Sequence, residues 1–271
     1  MIFYIIFFIA IMGFFYYDTL SWLMISWINN PYYSHGILVP VISGYIIWNM
    51  RKELYSVEKN QSLVGLAIFI MSFILHSISV HWTIYFLSGI SLVMAITGAI
   101  LFLFGGEFLK KILFPILFLF LMIPIPFVDV ITPVLQMNSA NISSSIANFI
   151  GIPVVKDGLV LRIPGGAFEV GLECSGIRSI LSLLTIAVLF SFILEGSMLM
   201  KLILILSSFP LAIAGNALRI VSILEIAQLY GKEAATNYFH DFSSPLVFIF
   251  AFFGLFLVGR CFGRLQFKKI F

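Results

Sequence analysis

Ile112-Leu113-Phe114-Pro115-Ile116-Leu117-Phe118-Leu119-Phe120 carries no charge and no hydrogen-bonding side chain. One run of this kind fits inside a soluble core, but this chain is built from them. Of its 271 residues, 61% are hydrophobic, 10% are charged and 30 are Phe, and the mean hydropathy is +1.12. An ordinary soluble domain is about 45–50% apolar and about 25% charged. A soluble globular protein and a disordered chain are both excluded on that ground. A membrane β-barrel would alternate apolar and polar residues over short segments, whereas the apolar blocks here are continuous. The expected fold class is an all-α polytopic membrane protein.

Outward from that run, a spanning helix needs about 20 apolar residues. About eight stretches approach this length: residues 2–17, 36–50, 63–80, 83–104, 112–127, 177–194, 199–220 and 245–262. The second is short and holds Pro40 and Gly44. The N-terminal stretch has no basic leader and no small-residue cleavage site, so a retained first helix is expected.

Charge placement orients these helices. The net charge of +3 leaves no nucleic-acid footprint. With eight spans and a cytoplasmic N-terminus, ten of the 15 Lys and Arg residues fall inside (Arg51, Lys52, Lys59, Lys110, Lys111, Lys201, Arg260, Arg264, Lys268 and Lys269). The positive-inside bias then puts both termini in the cytoplasm and the chain, as one domain, in the cytoplasmic (inner) membrane.

An insertion at about 128–173 falls on the outer face. In its first half Ile131, Leu135, Ile142, Ile146 and Phe149 recur at helical spacing, as in a helix lying on the membrane surface. Its second half, from Val154 to Gly166, reads as a small β-hairpin bending at Lys156-Asp157-Gly158.

Ionisable groups at membrane depth are rare and functional by default, and three polar clusters fall on this outer face. In Glu173-Cys174-Ser175-Gly176-Ile177-Arg178 a thiol stands at the start of a helix, where the dipole favours an anion. Arg178 lies one turn on; Glu173 opposes thiolate formation. In Pro210-Leu211-Ala212-Ile213-Ala214-Gly215-Asn216-Ala217-Leu218-Arg219, Asn216 and Arg219 share a helix face. Tyr238-Phe239-His240-Asp241 supplies an imidazole suited to proton transfer. Each has a plainer reading: Cys174 a small buried hydrophobe, Arg219 a snorkelling interfacial cation, His240 an inert loop residue. Together, a thiol, a cation and an imidazole on one face compose an acyl-transfer constellation. His35, in Tyr32-Tyr33-Ser34-His35-Gly36, falls on the same face. Cys261 lies at the other end of the last helix, so the two cysteines do not pair, and no metal site is expected.

Tyr33-Ser34-His35-Gly36, Ile123-Pro124-Ile125-Pro126, Gly158, Pro164-Gly165-Gly166, Cys174-Ser175-Gly176-Ile177-Arg178, Asn216-Ala217-Leu218-Arg219 and Phe239-His240, in this order, resemble the exosortase/archaeosortase family of multi-pass membrane transpeptidases. The resemblance covers most of the chain. It implies that Cys174, Arg219 and His240 are catalytic, with Ser175, Gly176, Arg178, Asn216 and His35 in support. His rather than Arg at the third place resembles the bacterial exosortase branch, while Asp241-Phe242-Ser243-Ser244-Pro245 departs from the Gly expected after that His. The resemblance also implies a cysteine transpeptidase or protease with no cofactor. Its substrates would be secreted proteins ending in a short motif (often Pro-Glu-Pro-like), a membrane helix and a basic tail. Cleavage would pass through a Cys thioester to an acceptor, lipid or glycan among the candidates. The competing class is a transporter or channel with an outer polar site, which would show two repeated halves; no repeat is visible. A zinc metalloprotease would need a His-Glu-x-x-His motif, which the sequence lacks.

Overall fold

The computed structural model describes residues 2–164, 166–235 and 240–262, the side chains of residues 2, 5, 232, 240–247, 261 and 262 excepted. Two units, Met1–Pro126 and Phe127–Lys268, divide the chain.

In the first unit, α1 (Ile2–Phe15) and α2 (Tyr17–Asn29) are separated by one residue, with a bend of 70° between Ile6–Phe15 and Tyr17–Asn29. A 3-10 turn, Pro31–Ile37, follows and is started by Asn30, whose side chain accepts a bond from the Tyr32 N–H at 2.9 Å. Then come α3 (Leu38–Asn49), α4 (Arg51–Tyr55), α5 (Leu63–His81), α6 (Tyr85–Phe104), α7 (Gly106–Lys111) and α8 (Leu113–Phe118). Pro40 is accommodated because it sits in the first turn of α3, where its missing N–H costs nothing. α5 and α6 pack backbone against backbone through two glycines. A Cβ on Gly65 would strike the Phe102 backbone, and one on Gly98 would lie 2.6 Å from the Phe69 nitrogen. Small residues at helix crossings are how membrane helices approach closely without a hydrophobic driving force.

Residues 112–127 do not form one uninterrupted helix. α8 tightens into a 3-10 turn, Leu119–Met122, and the chain then passes Pro124 and Pro126. The freed carbonyls find side-chain donors. Trp27 Nε1 donates to Met122 O (2.8 Å), the Tyr33 hydroxyl to Ile125 O (2.9 Å) and the Ser43 hydroxyl to Pro115 O (3.1 Å). Irregular backbone at membrane depth requires such internal satisfaction.

In the second unit, α9 (Val128–Phe149) leads into a three-stranded antiparallel sheet: β1 (Val155–Asp157), β2 (Val160–Ile163) and β3 (Gly166–Glu169). The β1–β2 hairpin forms in the expected stretch, but Lys156 and Asp157 are paired in β1, with Asp157 opposite Val160, so the turn falls at Gly158-Leu159 rather than at Lys156-Asp157-Gly158. The third strand is an addition, pairing Leu161 with Phe168. The Asn148 side chain pins the start of the sheet by two hydrogen bonds to Val154, its Nδ2 donating to the Val154 carbonyl (3.0 Å) and its Oδ1 accepting from the Val154 N–H (2.9 Å). A 3-10 turn, Leu172–Cys174, then opens onto α10 (Ile177–Ile193), followed by α11 (Met198–Tyr230), α12 (Lys232–Ala234) and α13 (His240–Phe262). One core joins Ala140 and Ala147 of α9, Leu161 and Ile163 of β2, and Val221 and Leu224 of α11. A second joins Leu183 of α10, Leu204 and Ala212 of α11, and Leu255 of α13.

α9 turns its polar side into the unit. Its polar and small residues Thr132, Gln136, Ser139, Ser143 and Ala147 are buried within the unit, while Val130, Ile131 and Val134 are exposed. In lipid, apolar atoms gain nothing by turning inward, whereas polar ones must find partners there.

Among the described residues four helices are long and apolar enough to cross a membrane: Leu63–His81, Tyr85–Phe104, Leu172–Ile193 and Met198–Tyr230. The bent α1–α2 pair makes up to five. Two other expected spans form shorter apolar helical segments, Leu38–Asn49 and Leu113–Met122, and the last falls within α13. The chain is an all-α membrane protein.

Candidate active site

The site grows from the end of the sheet. β3 runs into Gly171, and the Cys174 N–H closes a 3-10 turn on the Gly171 carbonyl at 2.9 Å. Gly176 then reverses the chain with φ +81° and caps α10. Only glycine adopts this conformation without strain, and a Cβ here would also press on Asn216 at 3.2 Å. Cys174 is thereby held one short turn before a helix start, 8% exposed.

α11 grips this turn from the side. Asn216 and Arg219 stand three residues apart on one face. Asn216 Nδ2 donates to the Cys174 carbonyl at 2.6 Å, and Arg219 Nη1 donates to the Glu173 carbonyl at 3.0 Å. Two consecutive carbonyls are fixed from one helix. α9 completes the frame. Asn216 Nδ2 also donates to Ser139 Oγ (3.0 Å), and Gln136 Nε2 donates to Val170 O (3.0 Å). The Ser175 hydroxyl accepts from the Ile177 N–H at 3.4 Å, at the first turn of α10.

Two charges bear on the thiol, the Arg219 guanidinium and the Glu173 carboxylate. A nearby cation favours a thiolate; a carboxylate and burial oppose it. Cys174 and Glu173 line a cavity of about 500 Å³ whose other walls include Phe168 and Glu169 of β3 and Ile220 and Leu224 of α11.

Of the residues expected from the sequence, Cys174, Ser175, Gly176, Asn216 and Arg219 are brought together. Arg178 is exposed in the first turn of α10 and is not part of the cluster. His240 is the first residue of α13, and its side chain lies outside the described residues. His35 belongs to the other unit; its Nδ1 is buried without a partner, and burial holds its imidazole below the ordinary histidine range. Sequence reasoning missed Gln136 and Ser139, although polar residues at i and i+3 in so apolar a chain were the available signal. It also missed that Glu169 shares a cavity wall with the thiol. Among the described residues no group of three His, Cys, Asp or Glu is placed to hold a metal ion.

A family model described as transmembrane exosortase matches residues 27–257. No curated protein and no solved structure gives a significant match.

Proposed function

Because the chain belongs to the transmembrane exosortase family, we propose that it is a membrane sorting transpeptidase whose nucleophile is Cys174. One observation carries this reading: the thiol lines a cavity while two consecutive carbonyls of its turn are held by Asn216 and Arg219.

In the proposed reaction the Cys174 thiolate attacks the carbonyl carbon of the scissile peptide bond. A C–S bond forms and the carbonyl electrons move onto oxygen. The Arg219 charge stabilises the thiolate or that oxyanion. His240 takes the thiol proton and delivers it to the leaving amine as the C–N bond breaks. The thioester is then attacked by an acceptor nucleophile, which gives transfer, or by water, which gives hydrolysis; the sulfur leaves as thiolate. Asn216 is a positioning residue in this scheme, since it holds the backbone that carries the sulfur. The substrate is a secreted protein ending in a short motif, a membrane helix and a basic tail. That tail stays inside by the positive-inside bias, so the motif emerges at the outer face, and the site is assigned to the same face.

The test is co-expression with a tagged membrane reporter carrying a Pro-Glu-Pro-like motif, one helix and a basic tail. Wild-type protein should shorten the reporter and the Cys174→Ala variant should leave it full-length. Processing by Cys174→Ala at the wild-type rate would overturn the scheme.

A further inference from the structure

The first unit holds a second cavity, of about 480 Å³, at one end of the α5–α6 pair. Its walls are apolar and aromatic: Ile47 and Trp48 from the last turn of α3, Phe104 from the last turn of α6, and Phe108 of α7. Two cations stand on this lining, Arg51 and Lys59. Arg51 is held in place, its Nη1 donating to the Trp48 carbonyl at 2.9 Å and its guanidinium 4.9 Å from the Trp48 ring centre. The Lys59 ammonium lies 5.8 Å from the Phe104 ring centre.

The position of this cavity relative to lipid follows from the helices around it. Lys59 precedes α5 by a few residues, and Phe104 is the last residue of α6. Both helices are long enough to cross a membrane, so their shared end lies at the interface, where lipid phosphates are. The segments at this end carry Arg51, Lys52, Lys59, Lys110 and Lys111 against Glu53, Glu58 and Glu107. Glu107 is itself engaged by Lys110 at 2.7 Å. An apolar slot with a cationic rim at the interface suits an amphiphile: acyl chain against the aromatic walls, phosphate against the cations. A soluble phosphate would have no use for those walls.

We propose that this cavity binds one anionic phospholipid, with its phosphate between Arg51 and Lys59. The site is independent of the peptidase reading above.

The test uses purified full-length protein in bilayer discs of mixed phosphatidylglycerol and phosphatidylcholine, with retained lipid counted by native mass spectrometry. Wild-type protein should retain phosphatidylglycerol over phosphatidylcholine, and the Arg51→Gln/Lys59→Gln double variant should lose about ten-fold or more of that preference. Gly44 also lines the cavity, and a side chain added there meets nothing within 4 Å. Gly44→Leu should therefore fill the slot and displace the lipid while the cations remain, and it decides the question if the double variant does not fold. Lys110→Gln, outside the cavity, should retain the lipid as wild type does. Equal retention of both lipids, or retention unchanged in the double variant and in Gly44→Leu, overturns the proposal. So does displacement of the lipid by an equal concentration of glycerol phosphate, which would identify a soluble phosphate site.

Discussion

At the residue scale, Asn216 shows how little polar chemistry is needed when the surroundings are apolar. Its Nδ2 serves both the Cys174 carbonyl and Ser139 Oγ, and Asn216 itself is 3% exposed. Buried acceptors stripped of a donor cost about 1–3 kcal/mol. Asn216→Ala should lower the unfolding free energy in detergent by about that amount, read as a lower midpoint of thermal unfolding. It should also slow reporter cleavage far more than it slows thiol alkylation of the unfolded protein. A drop in stability with unchanged cleavage would make Asn216 purely structural. Asn216 and Arg219 stood out in the sequence because polar and charged side chains are costly in lipid without partners, and Cys174 and Gly176 because they stand at the start of a helix. The pairing of each donor with a particular carbonyl was not legible, since it depends on how α11 passes the 3-10 turn.

At the scale of elements, α9 separates pattern from meaning. Its periodicity was readable, and the helix forms over Val128–Phe149. What its polar side packs against was not, because a surface helix could equally have turned that side to water. The buried face carries Gln136 and Ser139, both hydrogen-bonded to the site. Ser139→Leu should therefore destabilise the protein by about 1–3 kcal/mol, by overpacking and by removing the acceptor of Asn216. Val130→Leu, on the exposed face, should stay within about 0.5 kcal/mol. Thermal unfolding of the two variants in one detergent compares them directly. The hairpin was legible from Asp157-Gly158 between β-branched runs. Its third strand was hidden, because Gly166–Glu169 is short and begins among turn residues, and it is ordered by pairing with β2.

At the scale of the whole molecule, helix length against bilayer thickness decides topology. α5 and α6 are 19 and 20 residues long, and each spans about 30 Å of hydrocarbon. They return the chain to the side it left, so reporter fusions after residues 58 and 109 should report the same side, the cytoplasmic one by the positive-inside bias. A fusion at residue 158 should report the opposite side if the proposed outer-face site is right, and a cytoplasmic signal there would end that assignment. α11, with 33 residues, is about 50 Å long and exceeds the hydrocarbon thickness. Its two ends therefore meet different surroundings, with Lys201 near one and the Asn216–Arg219 clamp toward the other.

Composition alone determined that lipid is the solvent, because no soluble core can absorb 61% hydrophobic residues with 10% charge. The scarcity of polar residues also singled out the few that carry hydrogen-bonding or charged groups at all. Only the tertiary structure decided that α9 buries its polar face and that Asn216 and Arg219 hold the backbone around Cys174. Hydrogen bonds between residues 42 and 46 positions apart are set by packing geometry, which no local periodicity encodes.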